Sequence, residues 1–244
     1  MDANKTDIIH QLQKEILSIQ GFRPGPPCNE LDLGLGVINH SFPNDTFPLG
    51  AVHEFLCAGA EDAAATGGFI AGLLADLMRS GGASVWISSV RNIFPPALKF
   101  FGIEPHRIIF VDMQQEKDVL WAIEEALKCE GLAAVIGELQ EISFTGSRRL
   151  QIAVEQSRVT GFLIRNHPRK LQSIACVSRW KIRPLPSKLD NGMPGIGFPR
   201  WTVDLLKARN GKPGTWQVEW AAGQFRHITS RPMSMPQEQN KKTG

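Results

Sequence analysis

Side chains able to handle a phosphate gather in one stretch of this chain, and the set is incomplete. Gly59, Glu61, Asp62, Thr66 and Gly67 lie in the small-residue run Cys57–Gly68. A strand-like Gly50–Leu56 precedes the run, and Phe69, Leu73, Leu74, Leu77 and Met78 follow at helical spacing until Gly81-Gly82. Strand, small-residue loop and helix N-terminus is an arrangement that grips phosphate through backbone N–H groups. A working Walker A loop also needs a lysine on the β- and γ-phosphates and a hydroxyl on magnesium. No lysine occurs between Arg23 and Lys99, and the run carries two carboxylates instead. Glu61 and Asp62 would repel a triphosphate and would themselves satisfy the partial positive charge of the helix. The stretch reads as a degenerate phosphate loop.

Other chemistry finds less support. The six histidines lack metal-ligand spacing, Cys28, Cys57, Cys129 and Cys176 form no CxxC pair, and no GxSxG or HExxH occurs. Neither a metal nor another cofactor is expected. Dispersed cysteines without a leader-like segment suggest reduced thiols in the cytoplasm, and no apolar run approaches the roughly 20 residues of a membrane span. The 244 residues suffice for one large domain with a substantial core. Their net charge of +3 conceals an asymmetry. Residues 1–141 hold 9 basic and 19 acidic side chains, and residues 142–244 hold 18 and 5. A basic C-terminal half suits a polyanion or an acidic protein surface; a solvated basic face with no partner is the alternative.

The elements that must position these groups alternate. Residues 5–20 form an amphipathic pattern, with Ile8, Ile9, Leu12, Ile16 and Ile19 on one face, isolated by Pro24-Gly25-Pro26-Pro27. Ile9, Leu12 and Ile16 would either pack on the main body or be offered to a neighbour. Strands are expected at Ala83–Ser89, Arg107–Asp112, Leu132–Glu138 and Thr160–Ile164, with helices at Pro95–Phe101, Glu116–Cys129 and from Thr145 or Ser147. Such alternation predicts an α/β fold with a mostly parallel sheet between helices. After Arg165 the period changes to two, over Ser173–Pro184, Arg200–Ala208, Gly214–Trp220 and Gln224–Thr229. These are expected as antiparallel hairpins extending the sheet, with Asn210-Gly211 as a turn and Trp180, Trp201, Trp216 and Trp220 as sheet packing. The expected organisation is an N-terminal helix over 1–22, one domain over 23–229, and a disordered polar tail over 230–244.

Seven motifs in order resemble the ImuA-type proteins of bacterial SOS mutagenesis cassettes, within the RecA-like superfamily. They are Gly50–Glu54, Val119–Cys129, Leu132–Leu139, Ser147–Gln151, Gly161–Arg165, Ser178–Trp180, and Pro199–Trp201 leading to Trp216–Trp220. The resemblance implies a RecA-like three-layer core and a DNA-damage-induced accessory role. Its implied partners are an ImuB-like Y-family protein and an error-prone polymerase subunit, with RecA and DNA as further candidates. It implies no established catalytic activity. The related cell-division inhibitor SulA supplies an alternative reading, and a divergent ATPase a third.

Under that resemblance, Glu138 stands where a carboxylate would hold magnesium, and Ser88-Ser89-Val90-Arg91 stands where a carboxylate would activate water. With the other parts missing, Glu138 is read as a strand-end group in a local hydrogen-bond network, and hydrolysis is not expected. The loops Gln140–Arg149 and Arg165–Ser173 are where RecA-like proteins meet DNA. They carry Arg148, Arg149, Arg165, His167, Arg169 and Lys170, whose convergence would make a basic patch for phosphates or an acidic protein. The alternative is that Arg148 or Arg149 pairs with Glu138 or Glu141 as structure. The expected role is that of a non-catalytic adaptor.

Overall fold

The computed structural model describes residues 33–79, 81–90, 92–187 and 197–228. The amphipathic segment with Ile9, Leu12 and Ile16, Cys28, the centre of the Leu185–Pro199 loop and the 230–244 tail lie outside the described residues. In chain order the main elements are β1 (Val52–Cys57), α1 (Ala60–Leu77), β2 (Ala83–Ser88), a 3₁₀ helix (Pro95–Phe101), β3 (Ile108–Asp112), α2 (Glu116–Leu127), β4 (Leu132–Leu139), α3 (Phe144–Ser157) and β5 (Thr160–Asn166). Then follow β6 (Ser178–Leu185), β7 (Arg200–Ala208), β8 (Gly214–Ala221) and β9 (Gln224–His227).

Among the described residues, nine strands join one sheet in the order β3-β2-β4-β5-β1-β6-β7-β8-β9. The pairs from β3 through β6 are parallel, and those from β6 to β9 are antiparallel. The sequence pattern places Ser173–Pro184 in the antiparallel extension, and β6 does pair antiparallel with β7, but its other side completes the parallel part of the sheet. β6 begins at Ser178 and lies parallel to β1, pairing His53 with Ser178 and Phe55 with Trp180. Period two reports one buried face and says nothing about the direction of the neighbour.

Two cores lie on opposite faces of the sheet. On one, α1 and the 3₁₀ helix bury Phe69, Leu73, Leu74 and Phe101 against Phe55, Ile136, Trp180, Trp201 and Trp220. On the other, α2 and α3 bury Val119, Ile123, Leu127, Leu150 and Val154 against Val85, Val135 and Leu163. A close approach of α1 to the antiparallel strands depends on Gly72: a Cβ there would sit 2.5 Å from Phe225 Cζ and 3.0 Å from Trp220 Cζ3. Trp180, Trp201 and Trp220 are buried as expected, and Trp216 is half-buried against the same core.

The parallel-to-antiparallel junction holds a buried polar chain. Trp180 Nε1 donates to Ser178 Oγ at 2.6 Å, and Ser178 Oγ lies 2.6 Å from His53 Nδ1. His53 Nε2 lies 2.8 Å from the Pro48 carbonyl, which only accepts. The ring is therefore the neutral tautomer with its proton on Nε2, receiving the Ser178 hydroxyl proton at Nδ1. Burial pushes its pKa from 6.5 down to about 4. Between those values the unfolded chain binds a proton that the folded chain refuses, so stability falls as pH drops through this window. The expected loss is about 3 kcal/mol by pH 4, read from urea midpoints across the pH range. His53→Gln should lose that component, and an unchanged acid slope in the variant would contradict the assignment.

Candidate functional site

Only Ala58 and Gly59 separate β1 from α1. The stretch Cys57–Gly68, expected as a loop and helix entry, is thus mostly helix: Glu61, Asp62, Thr66 and Gly67 are helical residues. The helix starts early because Ala60–Ala65 is a run of alanines with acids in the first turn, which favours helix and suits its N-terminus. Gly59 occupies the N-cap without a side-chain bond. Asp62 Oδ2 instead accepts the Ala58 N–H at 3.1 Å, placing a carboxylate at the turn ahead of the helix. Glu61 is exposed and Gly67 half-buried along the helix. The Thr66 hydroxyl is fully buried and accepts the Cys57 thiol at 3.3 Å. Burial also drives the Cys57 pKa up to about 11, so that thiol stays protonated.

Glu138 lies near the end of β4 and is 6% exposed. Trp86 Nε1 donates to its Oε1 at 2.6 Å, and Asn92 Nδ2 and Asn166 Nδ2 donate to its Oε2 at 3.0 and 3.1 Å. The carboxylate is held by groups from β2, the segment after it, and β5. Sequence reasoning does not find Trp86, Asn92 and Asn166 as its partners, because their convergence depends on the strand order and leaves no local signal.

Arg165, expected on the basic patch, is fully buried and cannot meet a phosphate on the surface. Its Nη1 donates to Glu54 Oε1 at 3.0 Å, and its Nη2 to Glu141 Oε2 at 2.7 Å. The same guanidinium reaches the Gln140 and Lys170 carbonyls at 3.3 Å. Glu54, likewise fully buried, also pairs with Arg179, which donates to the Gln172 carbonyl at 2.8 Å. One cluster thus ties β1, β5 and β6 to the two loops leaving β4 and β5. Five-donor planar geometry lets a single arginine do this.

The loops are fastened further. Glu116, at the start of α2, accepts the Gln140 and Glu141 N–H groups, the latter at 2.9 Å. Glu141 Oε1 accepts the Arg169 N–H at 2.6 Å. That bond, with Arg165 adding to it, holds the Glu141 carboxyl below its ordinary pKa. His167 takes a left-handed backbone (φ 51°), donates its N–H to the Cys57 carbonyl at 2.9 Å and accepts from Gln140 Nε2 at 3.2 Å. Ser143 caps α3 by accepting the Gly146 N–H at 3.0 Å, so the helix begins at Phe144 rather than at Thr145 or Ser147.

The remaining cations separate. Arg149 pairs with Glu124 of α2, not with Glu138 or Glu141, whose acceptors are already engaged. Arg148, Arg169 and Lys170 are exposed, with Arg169 tied to the Glu141 carboxylate through its backbone N–H. Glu141, Ile142, Ser143, Arg169, Lys170 and Gln172 line a shallow cleft between the two loops. Among the described residues no helix is long and apolar enough to cross a membrane.

No protein-family model matches this chain. Protein ImuA of Caulobacter vibrioides, in strain NA1000 / CB15N and in strain ATCC 19089 / CIP 103742 / CB 15, is 36% identical over 205 residues, covering 79% of this chain and 84% of the relative. The crystal structure of the RadB recombinase superposes with a TM-score of 0.55 at 13% identity, covering 81% of this chain and 99% of that one. The architecture is RecA-like, a mostly parallel sheet between helices with an antiparallel extension. By its identity to the Caulobacter proteins and the extent of the match, the chain belongs to the ImuA family.

Proposed function

We propose that this protein is a non-catalytic RecA-like adaptor in SOS-induced translesion synthesis and mutagenesis. Its C-terminal sheet edge would dock an ImuB-like Y-family protein that works with an error-prone polymerase subunit. Family membership supports the cellular role. The observation that carries the non-catalytic part is the junction of β1 and α1. A two-residue turn cannot wrap a triphosphate, and the Asp62 carboxylate already accepts an N–H at that turn. Glu138 is engaged by three protein donors, and Ser88 stands at the end of β2 where a water-activating carboxylate would be needed.

Two measurements test this. Radiolabelled ATP turnover should stay at background and should not change in Glu138→Ala, while adenine nucleotides with magnesium should leave the thermal midpoint unmoved. Turnover that Glu138→Ala abolishes would overturn the non-catalytic reading. Co-purification from damage-treated cells should recover the ImuB-like protein. Arg148→Glu/Lys170→Glu, confined to exposed positions of the two loops, should weaken that recovery without lowering stability. Recovery unaffected by the pair would remove this edge as the docking site.

A further inference from the structure

The two faces of the sheet are not covered equally. α2 and α3 pack over β1, β2 and β4, whereas on the same side of β6–β9 the side chains of Arg183, Thr215, Gln217 and Arg226 remain exposed. Strand alternation sends Trp180, Ile182, Val203, Leu205, Val218 and Trp220 into the core under α1. The opposite face receives Arg179, Lys181 and Arg183 of β6, Arg200 of β7 and Arg226 of β9, and a bulge at the exposed Leu206 brings Lys207 of β7 opposite Arg179 on the same face. Asp204 and Glu219 are the carboxylates on that face, pairing with Arg183 at 2.9 Å and with Arg200 at 2.6 Å. Arg179 is held by Glu54. Among the described residues Lys181, Lys207 and Arg226 have no carboxylate partner, so the face keeps an uncompensated positive charge. Its cationic part spans about 13 Å along β6 and about 14 Å across the four strands.

The shape and chemistry of this face select among polyanions. An acidic protein surface would need a desolvated aromatic or aliphatic anchor at the centre. The centre here is Thr202, Gln217 and ion pairs, and the tryptophans point the other way. With no outward ring, bases cannot stack on it. Cations in rows on a flat surface match phosphates instead, which contribute affinity and register without sequence information. Arg179 also links the face to the segment of residues 167–177 at Gln172, beside Arg169 and Lys170.

We infer that the open face of β6–β9 binds the sugar–phosphate backbone of DNA without reading its sequence, serving as the nucleic-acid surface of the adaptor proposed above, a reading on which this inference rests. The test is fluorescence anisotropy of the full chain with labelled duplex and single-stranded oligonucleotides of two unrelated sequences, over a salt series. Lys181→Gln/Lys207→Gln/Arg226→Gln removes the unpaired cations while leaving every ion pair on the face. Its salt slope on duplex should fall in magnitude by about 2 to 3, with affinity at fixed salt down about tenfold or more. Its thermal midpoint and its recovery of the ImuB-like protein should not change. Equal slopes for the variant and the unsubstituted chain would overturn the inference. So would the absence of DNA binding, a strong preference between the two sequences, or complete loss of binding on replacing Arg148, Arg169 and Lys170 alone. Loss of partner recovery in the unsubstituted chain is a separate outcome and strikes the adaptor reading instead.

Discussion

Arg165→Met should lower the unfolding free energy by about 3–5 kcal/mol, the range for stranding a buried charge. Arg165 and Glu54 are both fully buried and 3.0 Å apart. Removing the guanidinium leaves the Glu54 carboxylate with the partly exposed Arg179 and the weak Cys176 thiol donor, which places the expected value near the lower end of that range. The Gln140 and Lys170 carbonyls lose their shared donor as well. Backbone amides of residues 140–142 and 167–172 should then exchange faster than those of β4 and β5. Arg165→Lys should recover little, because a point charge cannot bridge Glu54, Glu141 and two carbonyls at once. Glu54→Leu/Arg165→Met should cost less than the sum of the single substitutions, since neither charge is left facing the other's absence. A urea midpoint within about 1 kcal/mol of the unsubstituted chain, with unchanged loop exchange, would show that the cluster does not hold the edge together.

That cluster also marks how far the sequence can be read. Glu54 sits inside the apolar strand Val52–Cys57, and Arg165 near the end of the apolar strand Thr160–Asn166. Charges within runs buried on both faces need partners, and that signal marks each residue, while the adjacency of β1 and β5 decides that they meet. Assigning Arg165 to a surface patch follows its place near a loop and overlooks the apolar strand carrying it. Glu116 offers no such hint, since an acid in the first turn of a helix is ordinary. Its role in holding the Gln140 and Glu141 amides depends on how α2 returns to β4.

The order of strands and helices is legible because apolar runs and amphipathic periods alternate from β1 to β5. The start of α1 is not, if small residues are taken as loop; yet alanine is the strongest helix former, and no second glycine precedes Thr66 in this run. Strand direction at β6 is beyond local pattern. It is fixed by the strap of residues 167–177, which crosses back so that Val177 donates to the Val52 carbonyl at 2.9 Å and Ala175 to Ser147 Oγ at 2.9 Å. The same strap carries Arg169 and Lys170, so the segment that makes β6 parallel also presents the exposed cations. Its fastening uses protein groups, namely Arg165, Arg179 and Glu141.

Trp180→Ala should cost about 3–5 kcal/mol, as a fully buried aromatic exchanged for a cavity. Its ring lies 6.1 Å from Phe55 at 10°, and within 5.9–6.3 Å of Phe42, Phe47 and Phe69. These rings belong to β1, α1 and the segment before β1, so the loss falls where the parallel and antiparallel halves meet. Trp180→Phe keeps most of the ring packing but removes the Nε1–H donor to Ser178, and should cost about 1–2 kcal/mol. The two variants also act on His53, whose ring stacks on Phe47 at 4.3 Å and takes its hydrogen bond from Ser178. A cavity beside that stack admits water, which relieves the burial that lowers the His53 pKa. In Trp180→Ala the folded-state value should therefore climb from about 4 towards 6.5, and the stability lost on acidification should shrink. Urea midpoints at neutral and mildly acidic pH measure both effects together. An alanine variant that unfolds at the original midpoint, or that keeps the full acid loss, would separate Trp180 from the junction it is expected to hold.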